Sequence, residues 1–343
     1  TPLYIAPRFD PSLAAWLWRF SANCTERKLT ANMNVLGPLG HVTLQLFAQL
    51  IAEEEIACDY QASGYYEVCR TEQGATHASR DVALMRAHGF DAEVLTGEEI
   101  GARMTSLKSD VMGGAYFPDS ATCDPYRFVV EIAERVRRAG GRTETGRVVT
   151  KVEGGAHPAV RLATGERFEA DAVVLATGAY SLQLARELGC RLPIQPGKGY
   201  HRDLEFGEGS RPPLEAACVL GETSVFCTPM SGRLRLAGTM EFSGLNHRIR
   251  PSRLAQLTAS AEQYLSGIGP SRVTSEWCGL RPCTPDGLPV VGRLPGQTKV
   301  FAATGHAMTG LTLGPITGSL VADLVTGATP PSTEVTALAP ARF

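Results

Sequence analysis

The chain has 343 residues, of which 43% are hydrophobic and 20% charged, a balance typical of globular proteins with buried cores. The formal net charge of -2 excludes a broad electrostatic attraction to polyanions, so we expect no nucleic-acid partner. The nine cysteines and seven histidines show no metal-ligand spacing, and no metal site is predicted. No uninterrupted apolar run reaches the ~18 residues that a bilayer-spanning helix needs, so a transmembrane segment is not expected.

Most of the first 60 residues are predicted to be helical. Apolar side chains recur at three- and four-residue spacing over residues 12–29, and the pattern returns over residues 41–55. Amphipathic helices bury such stripes, so we expect the aromatic residues to face a core rather than a ligand. The apolar positions of the first stripe are Leu13, Trp16, Leu17 and Phe20.

A strand and two helices are predicted next. Residues 64–70 alternate between apolar and polar side chains, as a half-buried strand does. Residues 79–107 have a helical pattern that Gly89 interrupts. The second of these helices begins near Thr96, and Glu99 stands at the spacing of a capping box.

The clearest helix of the chain is predicted over residues 123–141. Asp124 can cap its first turn, Pro125 suits the first helical position, and Gly140 can end it. Asp124 therefore has a structural role. The residues expected to line one face are Phe128, Val129, Ile132, Val136 and Ala139.

Four short strands are predicted in close succession after this helix. Their sequences are RVVTKVE (147–153), PAVRLAT (158–164), ERFEA (166–170) and DAVVLATG (171–178). The last is continuously apolar, as a strand buried on both faces should be. It ends at Thr177 and Gly178, where backbone can approach a ligand, although a plain strand-to-helix turn explains the pattern equally well. Further strands are expected over residues 200–245.

Residues 301–320, FAATGHAMTGLTLGPITGSL, read as a short strand, a glycine-rich turn and a helix. The start of a helix presents free N–H groups that suit an electron-rich group, whereas the alternative is that the glycines serve packing alone. Gly314 and Gly318 are spaced to let the helix lie close against a sheet. No GxGxxG motif occurs anywhere in the chain.

Arg281 stands in the segment WCGLRPCTPDGLPVVGR (277–293), whose start is poor in other charges. A guanidinium group is well suited to hold a carboxylate through two hydrogen bonds. The alternative is a structural arginine that pairs with an acid such as Asp286.

Taken together, these segments resemble the flavin-dependent D-amino acid oxidase superfamily. Within it, the resemblance is strongest to the bacterial D-amino acid dehydrogenases and their D-proline or D-hydroxyproline relatives, and it covers nearly the whole chain. The segments that carry it are PRFDPSLAAWLWRFSANC, DPYRFVVEIAERVRRAGG, RVVTKVE, DAVVLATGAYS, PGKGY, GLRPCTPDGLPVVGR and ATGHAMTGLTLGPITG.

The resemblance implies a mixed α/β, two-domain FAD-binding oxidoreductase fold. A helical segment over residues 1–60 leads into an antiparallel-sheet substrate domain formed by residues 61–119 and 196–276. The FAD-binding domain, with a three-stranded crossover and an incomplete Rossmann-like sheet, is expected over residues 120–195 and 277–330. The family opens with a strand, a GxGxxG turn and a helix that hold the FAD pyrophosphate. This sequence lacks that unit, so we expect an N-terminally incomplete copy of a FAD enzyme.

The resemblance also implies the site residues. Arg281 would hold the substrate carboxylate and, with His306, is a candidate catalytic residue, while Tyr200 and Phe226 are candidate substrate contacts. Phe226 stands where some relatives place a tyrosine. The residues expected to contact FAD are Val148, Val149, Thr177, Gly178, Gly305, His306, Ala307, Met308, Thr309, Gly310, Leu311 and Thr312.

The implied activity is the FAD-dependent oxidation of D-amino acids or cyclic imino acids to keto acids or imines. Electrons would pass to a quinone or another redox partner, in a bacterial cytoplasmic protein of amino acid catabolism that can associate peripherally with the inner face of the membrane. Two alternatives stay open. One is a glycine- or sarcosine-oxidase-like enzyme that uses oxygen, and the other is a flavin-free fragment without activity.

Overall fold

The chain folds around one large mixed sheet and two small ones, in a computed structural model that describes residues 2–207, 214–269, 271–328 and 333–343. The α-helices in the described ranges are α1 (Pro11–Asn23), α2 (Glu26–Glu53), α3 (Glu72–Ala87), α4 (Gly97–Arg103), α5 (Pro125–Arg138), α6 (Ser181–Glu187), α7 (Pro251–Tyr264), α8 (Gly314–Thr326) and α9 (Thr333–Leu338). Short 3-10 turns cover Gly178–Tyr180 and Pro340–Arg342. The mixed α/β class predicted from the sequence is confirmed.

The strands alternate with these helices along the chain. They are β1 (Leu3–Ile5), β2 (Tyr65–Cys69), β3 (Glu93–Thr96), β4 (Gly113–Phe117), β5 (Val149–Glu153), β6 (Ala159–Leu162), β7 (Arg167–Glu169), β8 (Val173–Leu175), β9 (Gln195–Glu205), β10 (Ala217–Leu220), β11 (Val225–Met230), β12 (Arg233–Phe242), β13 (Arg272–Cys283), β14 (Val290–Arg293) and β15 (Val300–Thr304).

The large sheet has the order β13-β9-β12-β11-β10-β2-β4-β3, and β1 pairs in parallel with β12. One face packs on α7, where Leu234 and Leu236 of β12 meet Leu254 and Leu257 of the helix in the largest hydrophobic cluster. Successive side chains of a strand point to opposite faces. The opposite face, called the front face below, therefore carries the alternate residues of β9, β11, β12 and β13.

The two small sheets provide the rest of the α/β architecture. β5, β6 and β7 form the antiparallel crossover predicted from the sequence, and β14, β15 and β8 form a sheet in which β15 and β8 run parallel. DAVVLATG was expected to be buried on both faces, but Val174 is exposed while Val173 and Leu175 are buried. Among the described residues β8 pairs only with β15, which leaves one edge and part of one face uncovered.

The N-terminal helices pack on the strand that carries Arg281. Leu13 and Trp16 are buried as expected, and Trp16 Nε1 donates to the carbonyl oxygens of Pro193 (3.0 Å) and Cys283 (3.2 Å). Phe20 is more exposed but stacks on Trp16 with ring centroids 5.1 Å apart. Asp10 accepts from the amide of Leu13 and so caps α1.

α2 qualifies as a candidate membrane span by length and composition, although the sequence contains no uninterrupted apolar run of that length. Core helices of proteins without membrane segments pass the same test. Leu39, Thr43 and Phe47 along this helix are buried against the rest of the chain, and Thr43 Oγ1 donates to the carbonyl oxygen of Thr312 (2.6 Å). The packing therefore joins α2 to the glycine-rich turn.

Several local predictions are corrected. β3 was not predicted: it lies between the break at Gly89 and the helix that begins after Thr96, and its pairing with β4 makes it a strand. The capping box at Thr96 and Glu99 is confirmed directly after it. On α5, Phe128 is buried and Asp124 caps the first turn as predicted, whereas Val129 is exposed, as is Val136. Gly314 and Gly318 of α8 do not pack against a sheet as expected. A Cβ at either position would meet nothing within 4 Å.

The domain boundary placed between residues 276 and 277 falls inside a strand. β13 runs without a break from Arg272 to Cys283 and pairs with β9 along most of its length. The segment that carries Arg281 is thus part of the large sheet. Residues 284–304 connect it to the small sheet formed by β14, β15 and β8.

Candidate active site

Three segments meet beyond the carboxyl ends of β8 and β15. Thr304 Oγ1 donates to the carbonyl oxygen of Gly178 (3.0 Å), which joins the turns after these two strands. His306 forms a backbone bridge with Cys283, and the amide of Ala307 donates to the carbonyl oxygen of Pro282 (3.1 Å). The fold therefore brings the ATG turn, the GLRP strand and the glycine-rich turn to one place, at the edge where parallel sheets bind their ligands.

The glycine-rich turn has a backbone that few other sequences could adopt. Gly305 has a φ of 78°, and a Cβ there would lie 2.8 Å from Thr284 Cγ2. Ala307 also has a positive φ, 46°. Among the described residues, four amides of the turn donate to no backbone or side-chain acceptor: those of Met308, Gly310, Leu311 and Thr312.

α8 begins directly after this turn and adds to its positive potential. The helix is 13 residues long, begins at Gly314, and its N-cap Leu313 offers no side-chain hydrogen bond to the first turn. The first amides of a helix carry a partial positive charge. Free amides beside a helix start fit the electron-rich edge of a flavin ring, so the residues present suit the expected FAD.

Arg281 is a partly buried cation with no acidic partner among the described residues. Its Nη1 donates to the carbonyl oxygen of Thr239 (2.7 Å), and burial lowers the pKa of the guanidinium, which nevertheless stays charged. The expected rival partner, Asp286, pairs with Arg342 instead, at 2.7 Å. A desolvated cation without a counterion favours an anionic ligand.

The guanidinium of Arg281 lies against the backbone of Gly199. A Cβ at Gly199 would fall 2.2 Å from Arg281 Cζ and Nη1 and 2.3 Å from Nη2. Only glycine leaves room for the guanidinium in this position, since contacts under 3.0 Å force atoms to move. PGKGY was one of the segments that carry the resemblance, but nothing in it indicated that Gly199 faces Arg281.

Two neighbouring cavities lie over the front face of the large sheet. The smaller, of about 240 Å³, contains Arg281, and the larger, of about 410 Å³, has mostly apolar walls. Ala237 of the smaller cavity is the cross-strand neighbour of Phe226 in the larger one. Residues of the glycine-rich turn line both: Ala307 lines the smaller, and Leu311 and Thr312 the larger.

The two candidate substrate contacts separate in the structure. Phe226 is 47% exposed and lines the larger cavity, in keeping with the expectation. The hydroxyl of Tyr200 is directed away from Arg281 and donates to the buried carboxylate of Glu241 (2.9 Å). The structure therefore gives no support to a substrate contact by the Tyr200 hydroxyl. This residue lies on the α7 side because it alternates with Gly199 along β9.

His306 holds the glycine-rich turn to α8. Its Nε2 forms a hydrogen bond with Thr317 Oγ1 (2.9 Å), so the imidazole points to the helix rather than into the cavity of Arg281. Burial lowers the pKa of His306 to about 4, which makes the ring neutral at physiological pH. This placement does not favour a proton-transfer role for His306, whose candidacy as a catalytic residue stays a prediction.

Replacing His306 with glutamine should weaken the pH dependence of stability. With a pKa of 6.5 when unfolded and about 4 when folded, the unfolded state binds the extra proton between these values, so the free energy of unfolding rises with pH there. We expect His306 to account for a loss of about 3 kcal/mol on acidification from pH 6.5 to 4. Urea unfolding across this range measures the difference, and parallel curves for the two proteins would contradict it.

The remaining expected cofactor contacts lie around the small sheets. Val148 precedes β5 and is exposed, and Val149 packs on the cluster around β8. Thr177 Oγ1 is hydrogen-bonded with Ser181 Oγ (3.0 Å), and Gly178 has a φ of 55°. These residues keep their expected roles as predictions.

Comparisons with known proteins agree with this architecture. A family model described as FAD dependent oxidoreductase matches residues 14–324. D-amino acid dehydrogenase from Methylobacterium nodulans is 34% identical over 335 residues, which cover 96% of this chain and 79% of the relative. D-amino acid dehydrogenase from Agrobacterium fabrum is 32% identical over 335 residues, with the same coverage of 96% and 79%.

Solved structures share the fold. Glycine oxidase from Geobacillus kaustophilus superposes with a TM-score of 0.83 at 25% identity, over 89% of this chain and 83% of that one. L-proline dehydrogenase from P. horikoshii superposes with a TM-score of 0.77 at 18% identity, over 89% and 82%. The resemblance noted in the sequence is confirmed, and with it FAD as the cofactor of the family. The chain belongs to the FAD-dependent oxidoreductases.

Proposed function

We propose that the chain oxidises D-amino acids, or cyclic imino acids, at the carbon that bears the amino group, and that electrons pass to a quinone or another acceptor. The D configuration rests on the names of the relatives, which are D-amino acid dehydrogenases. The observation that carries the proposal is Arg281: a partly buried guanidinium without an acidic partner in the described structure, beside the turn that fits the flavin ring.

Each part of the site has a distinct task in this reaction. Arg281 binds the substrate carboxylate through the donors that Thr239 leaves free, and so fixes the orientation of the α-carbon. Bound FAD supplies the acceptor for the hydride. The free amides of Met308, Gly310, Leu311 and Thr312, together with the start of α8, would stabilise negative charge on a bound flavin ring.

The larger cavity fits an uncharged substrate side chain. Its walls include Phe47, Tyr60, Phe226 and Met230, and its one basic residue, Arg235, is held by Asp203 through two hydrogen bonds of 2.8 Å. A charged side chain would lose hydration there without gaining a free partner. Apolar and aromatic amino acids are therefore the preferred substrates.

Phe226→Ala should shift this preference toward bulkier side chains. The substitution enlarges the larger cavity, so kcat/KM for D-phenylalanine relative to D-alanine should rise roughly 10-fold, within the range for apolar pockets. Phe168→Ala is the control, since Phe168 is similarly exposed at 44% but lies on β7. An unchanged ratio in Phe226→Ala would show that the side chain binds elsewhere.

The experiment that tests the proposal uses the FAD-loaded protein with paired D- and L-amino acids and a quinone or dye as acceptor. Reduction by the D enantiomers of apolar amino acids is expected, and no reduction by any amino acid would refute it. A second candidate, an oxygen-using amine oxidase, is favoured by the likeness to glycine oxidase. Oxygen consumption without added acceptor would identify that activity.

Whether the protein must contact a membrane depends on its electron acceptor. We propose peripheral contact with the inner face of the cell membrane, because a lipid-soluble quinone can be reached only there. Activity with a long-chain quinone should then require lipid vesicles, whereas activity with a water-soluble dye should not.

A further inference from the structure

A buried charged cluster lies behind the strand segment that supports Arg281. Lys198 and Glu241 are 1% and 0% exposed, and Lys198 Nζ lies 3.3 Å from Glu241 Oε1. Lys198 Nζ also donates to Asn246 Oδ1 (2.6 Å) and to the carbonyl oxygen of Arg248 (3.1 Å). Burying two charges is costly, and apolar residues could fill the same space, so the pair invites a specific explanation.

Glu241 holds both residues that flank Gly199. Its Oε1 contacts Lys198 and also pairs with the partly exposed Arg250 (3.3 Å), and its Oε2 accepts from the Tyr200 hydroxyl (2.9 Å). Gly199, between these two residues, points to the opposite face, where it is the floor under the guanidinium of Arg281. One carboxylate therefore fixes the short segment on which the guanidinium lies.

Glu241 is also the residue at which a β-bulge in β12 ends. Gly238 pairs with Tyr200 and Glu241 pairs with Lys198, so three steps along β12 match two along β9. The extra residue is accommodated at Thr239, whose φ of 62° is unfavourable for a β-branched side chain. Such a conformation persists only where the surroundings hold it.

The bulge turns a carbonyl group onto Arg281. Thr239 O accepts from Arg281 Nη1 (2.7 Å), while the Thr239 hydroxyl is buried without a polar partner in the described part of the chain. A regular strand would direct this carbonyl to the neighbouring strand instead. The strained backbone of Thr239 thus provides an acceptor for Arg281, while the Thr239 hydroxyl is left without a hydrogen-bond partner in the described part of the chain.

We propose that Glu241, with Lys198 and Tyr200, is a positioning cluster for the substrate-carboxylate site: it fixes both the Gly199 floor and the Thr239 carbonyl that orient Arg281. The inference rests on the proposed role of Arg281 and adds to it residues whose polar side-chain atoms bind one another rather than Arg281. Substitutions in this cluster should therefore weaken substrate binding and leave the turnover of bound substrate largely unchanged.

Tyr200→Phe and Tyr264→Phe form a matched pair for the test. Both tyrosines are 2% exposed and both hydroxyls donate to a glutamate, Glu241 for Tyr200 and Glu222 for Tyr264, but only the first glutamate ends the bulge. Both variants should lower the unfolding temperature. Only Tyr200→Phe should raise KM, by roughly 3- to 10-fold with kcat within about 2-fold, because only part of the energy of the lost hydrogen bond is transmitted to Arg281.

Propionate binding gives a readout independent of turnover. Calorimetry on the FAD-loaded protein should show the dissociation constant for propionate rising in Tyr200→Phe and in Glu241→Gln, and staying constant in Tyr264→Phe. Equal effects in both tyrosine variants, or unchanged KM and propionate affinity in Tyr200→Phe, would overturn the positioning role. If wild-type protein binds propionate through Arg281 yet oxidises no amino acid, the proposed function fails while the positioning role stands.

Discussion

Arg281→Ala should raise KM for amino acid substrates by roughly 10²- to 10³-fold, the loss expected for a two-point guanidinium–carboxylate contact. FAD content should not change, because the guanidinium of Arg281 donates to the carbonyl oxygen of Thr239. The free amides expected to face the flavin belong to a different segment, the glycine-rich turn. Steady-state kinetics and the flavin-to-protein absorbance ratio measure the two quantities on the same sample.

Two companion variants make this prediction specific. Arg281→Lys keeps the charge but loses the planar fork, so its KM should lie between those of wild type and Arg281→Ala. Arg342→Gln removes another half-buried arginine, one that is paired with Asp286 at 2.7 Å, and should leave KM unchanged. Wild-type kinetics in Arg281→Ala would remove this residue from the site.

Gly199→Ala should impair substrate binding nearly as strongly as changes to the arginine itself. The new methyl group would stand 2.2 Å from Arg281 Cζ, so the guanidinium must move away from the position that Thr239 and the cavity define. We expect KM to rise roughly 10- to 100-fold, since a misplaced bidentate contact loses most of its energy. The flexible arginine can yield, so stability should change little.

Gly101→Ala is the control for Gly199→Ala. Its Cβ would meet nothing within 4 Å, and the residue lies in α4, away from both cavities. This variant should be as active as wild type and slightly more stable, because alanine favours helix. A KM for Gly199→Ala equal to that of the control would show that Arg281 does not need its present position.

Local sequence patterns predicted the helices and the short strands after α5 because these elements depend on short-range signals, whereas the three-stranded crossover was implied by the family resemblance. Asp124 begins α5, and Thr96 with Glu99 begins α4, each through contacts within four residues. β3 was missed for the opposite reason, since only its pairing with the distant β4 makes it a strand. Boundaries set by sheet pairing, such as the course of β13 through residue 276, are likewise invisible in a single sequence.

The parts of the site that lie in recognisable motifs were predicted from the sequence. Arg281 and the glycine-rich turn were found in this way, and the structure brings them together through Ala307 and Pro282. Thr239 gave no signal, because a threonine with a positive φ cannot be recognised from its neighbours. The orientation of Tyr200 also required the structure, since its hydroxyl partner, Glu241, is 41 residues away.

The central claim is that Arg281 selects substrates by their carboxylate. It is tested most directly by anaerobic mixing of the FAD-loaded protein with the D-amino acid that it oxidises fastest and, separately, with the amide of that amino acid. The two compounds share the α-carbon and the side chain, and the amide lacks the charged group that Arg281 would bind. We predict that the flavin absorbance is bleached by the acid at far lower concentration than by the amide. Equal bleaching by both would contradict the assignment of Arg281 to the substrate carboxylate.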